Sequence, residues 1–265
     1  MTAGAIPTLS LVRYGALALP AAFAGFPLYV LAPDYYATHY QIPLGLMGMI
    51  LLGLRLCDAA IDPLMGWLID RLQTQLFWPL IAAASLLCLT IYGLFNVHFP
   101  TPAVWFALCM GGAVFAHSVM TIMLGTFAVL WMEDEGEQTR IAAIRESFGL
   151  IGLIIAVSLP ALLQLIFSAA HIYGVYSLLL AVVMGIAVIY FMPLLHTKPK
   201  PNRALDSSAL SPLAFLKDLP KPTRRLLCVY GVSMFASSIP AVLVIFYVRD
   251  LLGAEQLIGV FLTLY

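Results

Sequence analysis

The sequence has 265 residues, of which 62% are hydrophobic and 10% charged, and its 13 Lys/Arg balance its 13 Asp/Glu. Soluble globular domains carry about 45–50% apolar and about 25% charged residues, so the composition excludes a soluble enzyme and a disordered chain. The cancelled charge gives no basic field to attract a nucleic acid, and the class that remains is a polytopic membrane protein.

Charge-free stretches locate the spans. Arg13 and Asp34 bracket an uncharged run, 14–33, long enough to cross ~30 Å of hydrocarbon as a helix rising about 1.5 Å per residue. The run 72–132 has no Lys, Arg, Asp or Glu and must hold two spans, with Asn96-Val-His-Phe-Pro-Thr-Pro102 as the turn between them. A second long run, 147–197, breaks around Ser168–His171, and 226–248 supplies a further span. The expected helical spans are therefore 10–33, 43–69, 77–96, 102–131, 140–167, 172–195 and 224–249. An eighth begins near Gln256 and has only 257–265 to run, ~14 Å of helix, so the chain is expected to continue past Tyr265. The four cysteines, Cys57, Cys88, Cys109 and Cys228, have no CxxC spacing and read as small core hydrophobes.

By alternation of the spans, Arg13, Arg71, Arg140, Arg145 and the basic residues from Lys198 to Arg225 fall on one side of the bilayer. The positive-inside rule makes that side cytoplasmic, with the N-terminus, and the expected membrane is the cytoplasmic (inner) one. Trp67, Trp78 and Trp131 lie near the same face, where interfacial aromatics belong. The stretch 196–223 is polar and proline-rich and reads as a cytoplasmic linker, separating a six-helix bundle, 1–195, from the start of a second bundle, 224–265. Tyr14-Gly15 and Asp34 recur 216 residues later as Tyr230-Gly231 and Asp250, the trace that parallel transporter halves leave.

The second span alone carries several charges, in Arg55-Leu-Cys-Asp58-Ala-Ala-Ile-Asp62-Pro-Leu-Met-Gly66-Trp67-Leu-Ile-Asp70-Arg71. Arg55, Asp58 and Asp62 are spaced i, i+3, i+7 and fall within about 60° of one another on one helix face. A charge at mid-bilayer costs at least ~2.5–3.5 kcal/mol on insertion scales, so three together need a reason. Two carboxylates one turn apart can bind Na⁺ or share a proton. The competing account is a structural pair in which Arg55 neutralises one aspartate, which still leaves one carboxylate over.

Gly66-x-x-x-Asp70-Arg71 resembles the loop motif of the major facilitator superfamily. The longer pattern Arg-x-x-Asp-Ala-x-x-Asp-Pro-x-x-Gly-Trp resembles the second-span signature of the glycoside–pentoside–hexuronide:cation symporters, the melibiose-permease-like branch. The resemblance implies the major facilitator fold, with Asp58 and Asp62 as cation ligands and the hydroxyl of Ser118 completing their site. Ile61 stands where the family has an asparagine, which removes an oxygen ligand and favours H⁺ over Na⁺. The family's two galactoside-gripping acids correspond to Ala22 and Thr121, so a melibiose-like substrate is not implied, and sugar is the family's default only.

Other polar residues carry two readings each. Arg145 and Glu146 open the fifth span as a cavity pair or as a cytoplasmic gate, and Asp70 and Arg71 belong with them as ion-pair or gating residues. Glu133, Asp134, Glu135 and Glu137 form an acidic loop, solvated or gating. His117 is a proton relay or is satisfied by an interhelical hydrogen bond. Phe23, Phe26 and Tyr29 are packing aromatics or a sugar-stacking surface. Pro20, Pro27, Pro63, Pro160 and Pro240 interrupt helical hydrogen bonding, as suits helices that bend.

No Ser/His/Asp, metal-ligand or phosphate-loop constellation points to an enzyme. The expectation is an all-α transporter with one complete six-helix bundle and the start of a second. It would run H⁺- or Na⁺-coupled symport of a small polar solute, by resemblance a sugar or glycoside, as a monomer when full length, with no cofactor and only lipid and substrate as partners. A lipid-like substrate, or a non-transporting fragment or assembly partner, is the alternative.

Overall fold

Prolines set where three of the helices begin. In the computed structural model, which describes residues 7–72, 75–131, 135–167, 169–195 and 220–253, Pro7, Pro43 and Pro220 each hold φ between −52° and −58° with extended ψ immediately before a helix. A proline there gives up no helical hydrogen bond, because the first amides of a helix have no intrahelical acceptor.

The elements are α1 (Thr8–Phe26), a π-helical turn (Pro27–Leu31), α2 (Ala32–His39), α3 (Leu44–Arg71), α4 (Phe77–Asn96), α5 (Pro102–Trp131), α6 (Glu135–Gln164), α7 (Ala169–Leu195) and α8 (Lys221–Phe246), which runs into a second π-helical turn (Tyr247–Leu251). Six of these segments are long and apolar enough to cross a membrane: Thr8–His39, Leu44–Ile69, Phe77–Asn96, Pro102–Ala128, Gln138–Gln164 and His171–Leu195. The molecule is an all-α, multi-pass membrane protein; α8 covers most of the residues expected as a seventh span and is not one of those six segments.

The first span is longer than the charge-free run implied. Asp34 sits in the first turn of α2, so the helix passes through it to His39. Pro27 and Pro33 explain the bulge between α1 and α2: each lacks an amide proton, and the backbone goes round Pro27 with wider i→i+5 turns rather than ending. The acidic loop is also shorter than expected. Helix α6 starts at Glu135, so Glu135 and Glu137 occupy its first turn, while Glu133 and Asp134 lie outside the described residues.

The chain forms two compact units, residues 1–200 and 201–265. In the first, α1 packs chiefly on α6 and α7, α4 on α5 and α7, and α3 on α5. Small residues permit the close crossings. A Cβ on Gly152 of α6 would stand 2.2 Å from the Leu19 carbonyl oxygen of α1, and one on Gly112 of α5 would stand 2.9 Å from Thr90 of α4. Lipid tails give helices no hydrophobic reason to associate, so such packing and interhelical hydrogen bonds hold the bundle. Tyr14 donates to the Leu124 carbonyl, Tyr36 to the Leu94 carbonyl and Trp105 Nε1 to the Gly93 carbonyl, at 2.8–2.9 Å.

The core runs through Tyr14, Leu17, Phe23, Leu28, Leu87 and Phe106, all under 2% exposed. Outward faces are apolar as well, carrying Leu89, Leu108, Ile154 and Ile186, as suits helices surrounded by lipid. Among the cysteines the core reading fits Cys109. Cys57 and Cys228 are exposed and all four are free, since an exposed apolar position in such a bundle faces lipid as readily as core.

Candidate functional site

The i, i+3, i+7 spacing survives into the structure because α3 is one unbroken helix from Leu44 to Arg71, Pro63 included. It approaches α5 closely at Gly111, where an added Cβ would lie 3.2 Å from Leu54 Cδ2. The two helices therefore meet with their polar residues in register. Ser118 Oγ of α5 donates a hydrogen bond to Asp62 Oδ1 of α3. Asp58, one turn away, faces Arg55 at 3.8 Å, and its side chain is 17% exposed against 54% for Arg55. That distance is an ion pair without a short hydrogen bond.

The two carboxylates are thus committed differently. Asp62 accepts a hydrogen bond from a hydroxyl of α5, while Asp58 is loosely neutralised by a guanidinium from its own helix. Arg55 has a second contact: its Cζ lies 4.2 Å from the centre of the Tyr29 ring, in cation–π geometry. Tyr29 meets His117 of α5 edge-on, with ring centres 6.0 Å apart. His117 Nε2 lies 3.1 Å from the carbonyl oxygen of Ala21 on α1. A carbonyl only accepts, so Nε2 must carry the proton in this contact.

The remaining expected residues fall elsewhere. Thr121 is exposed, one turn beyond His117, and donates to the His117 carbonyl at 2.9 Å. Ala22 follows Ala21 on α1 and faces α6, where a Cβ on Gly149 would lie 3.9 Å from its own. Arg145 bonds its neighbour Glu146 at 2.8 Å, on an α6 turn whose Ile144 and Phe148 press on Gly15 of α1. Arg71 stacks on Trp67 at 3.9 Å, and the Asp70 side chain is not among those described.

Phe23 and Phe26 do not form a stacking surface with Tyr29. Both are buried, Phe23 edge-on to Tyr176, because α1 turns them into the bundle and leaves Tyr29 alone toward α3. Among the described residues no group of three or more His, Cys, Asp or Glu could hold a metal ion.

This charged helix face, closed by a hydroxyl from a neighbouring span, occurs within a sequence whose residues 12–265 match the family model described as MFS/sugar transport protein. The chain belongs to this family. As a member of the MFS/sugar transport family it is a secondary-transporter chain of the major facilitator superfamily, and the six apolar spans among its described residues suit a multi-pass membrane protein. No curated protein matches the chain significantly.

Sequence reasoning missed two parts of the site. The Tyr29 platform under Arg55 and the Ala21 carbonyl under His117 join residues of different spans. One-dimensional spacing carries no signal for either.

Proposed function

We propose that the protein is a cation-coupled symporter in which Asp58 and Asp62, with the Ser118 hydroxyl, form the coupling site. The single observation that carries the reading is the bond from Ser118 to Asp62 beside a carboxylate whose own partner stands 3.8 Å off. Two carboxylates and one guanidinium leave one negative charge over, and a bound H⁺ or Na⁺ cancels it. Neutralisation lowers the cost of closing the site away from water, so the protein changes state readily when the cation is bound. Ile61 beside Asp62 supplies no oxygen ligand, which favours H⁺, a cation that needs no coordination shell.

The solute is a small polar molecule, by family a sugar or glycoside, held near Ala22 and Thr121. The membrane is the cytoplasmic one, with the N-terminus on the cytoplasmic side. The test is uptake of a panel of labelled glycosides into vesicles holding the full-length protein, driven by a Na⁺ gradient or by a pH gradient. Asp62→Asn abolishes gradient-driven uptake while the protein still expresses and purifies. Equal loss of expression and uptake would instead make the charges a structural ion pair.

A further inference from the structure

We infer that His117 is a positioning residue that braces the first span, at Ala21 and Tyr29, against the two-carboxylate site of α3. The proposal rests on the reading of Asp58 and Asp62 as the coupling site and adds a means by which α1 and that site move together.

Three contacts converge on two adjacent residues of α5. His117 donates through Nε2 to the Ala21 carbonyl, in a stretch of α1 between Pro20 and the π-helical turn that begins at Pro27. The other face of the linkage is aromatic: the His117 ring meets Tyr29, and Tyr29 carries the guanidinium of Arg55, which is the partner of Asp58. The next residue, Ser118, holds Asp62. Asp62 is therefore reached from α5 by one hydrogen bond, and Asp58 by the series His117, Tyr29, Arg55. A displacement of α1 that carries Ala21 or Tyr29 with it pulls on Arg55 and changes how firmly Asp58 is neutralised. The first span has the local freedom for this, because Pro20 and Pro27 remove two helical donors and the π turn widens the helix between Ala21 and Asp34.

A histidine suits the role for two separable reasons. Its N–H supplies the bond to α1, and its flat ring supplies the edge against Tyr29. Substitution separates them: His117→Phe keeps the ring and loses the donor, and His117→Gln keeps an N–H donor and loses the ring. Tyr29→Leu breaks the same series one step later and leaves His117 intact. Among the described residues the charged and titratable groups facing His117 and its series are Arg55, Asp58, Asp62 and Tyr29, so a response that survives in Tyr29→Leu does not run through the Tyr29 ring.

The experiment uses the purified full-length protein and measures its thermal stability during titrations with NaCl and LiCl at constant alkaline pH. KCl is the control, and pH itself is then varied without Na⁺ or Li⁺. The expected result is that His117→Phe, His117→Gln and Tyr29→Leu each shift the cation midpoint by about tenfold, the size of one lost hydrogen bond or ring contact at a charged group. His117→Gln in the Tyr29→Leu background then adds less than it does alone. Unchanged midpoints with a lowered melting temperature would overturn the proposal and make His117 a packing residue. So would full additivity of His117→Gln and Tyr29→Leu. A wild-type protein that answers neither Na⁺, Li⁺ nor H⁺ would refute the coupling reading itself, and the proposal with it, which distinguishes the two failures. Should His117→Phe fail to fold, His117→Gln and Tyr29→Leu decide the matter alone.

Discussion

The first and second spans, Thr8–His39 and Leu44–Ile69, have nearly the same mean hydropathy, yet 61% of the most apolar stretch of the first is buried and 6% of the second. Hydropathy measures transfer from water to hydrocarbon. It does not say whether a side chain meets lipid or another helix, because lipid tails are as apolar as leucine. The difference lies in side-chain size and in polar partners. Along α1, Gly15, Ala18, Ala21 and Ala24 are buried at crossings with neighbouring helices, and Tyr14 pins α1 to α5 through the Leu124 carbonyl. Along α3, Leu44, Met49, Leu52, Leu56 and Leu64 stand exposed around a polar face held to α5 at Ser118.

The largest effect expected from that contrast is at the α1–α6 crossing. Gly152→Val puts side-chain atoms against the Leu19 carbonyl, where even a Cβ would come within 2.2 Å. Backbone cannot rotate aside, so the cost lies at or above the upper end of the about 1–3 kcal/mol typical of overpacking. Gly15→Ala meets only the side chains of Ile144 and Phe148, which can shift, and costs less. Size-exclusion profiles and thermal melts of the two variants check the order. Gly152→Val behaving as wild type would show that the crossing is wider than the Leu19–Gly152 geometry.

Next in size is Leu87→Ala in the core of α4, where the side chain is 0% exposed. Truncating a buried leucine costs about 2–5 kcal/mol, according to how far the cavity collapses. The loss should appear as a lowered melting temperature with no change in any cation response, because no contact of Leu87 reaches Asp58 or Asp62 through a hydrogen bond.

Ser118→Ala acts at the site with less effect on the fold. It removes the hydroxyl that donates to Asp62, a hydrogen bond to a charged group worth about 1.5–3 kcal/mol. The expected result is a cation midpoint weakened by about tenfold or more, with Ser118→Thr close to wild type because it keeps the hydroxyl. A midpoint unmoved by Ser118→Ala would separate Asp62 from cation binding.

How legible these regions were in the sequence follows the same division. The spans 77–96 and 102–131 coincide with α4 and α5, because charge-free length bounded by turn residues is a one-dimensional property. The first span ran past its expected end at Asp34, since charge marks the edge of hydrocarbon while the backbone stays helical in the interface. The shared face of Arg55, Asp58 and Asp62 was readable from helical periodicity, and the Arg55–Asp58 pair from its i, i+3 spacing. The Ser118–Asp62 contact was reachable only through family resemblance. Tyr29 beneath Arg55 was not reachable at all: a tyrosine near a helix break looks the same whether it faces a sugar, a lipid or a guanidinium.

The smallest expected effect tests the comparison itself. Leu52 of α3 is 61% exposed, and Leu52→Ala removes as many atoms as Leu87→Ala does. If lipid or detergent covers that face, the methyl groups lost are replaced by acyl chain, no cavity forms, and stability changes by no more than about 0.5 kcal/mol. If protein covers it in the membrane, the substitution leaves a hole and the loss approaches that of Leu87→Ala. Melting both variants in the same lipid therefore decides what the open side of α3 faces. Equality would move the second span from the edge of a bundle to the middle of a larger assembly. It would also mean that the charges on α3 sit among protein groups on more sides than α5 and Tyr29 alone provide.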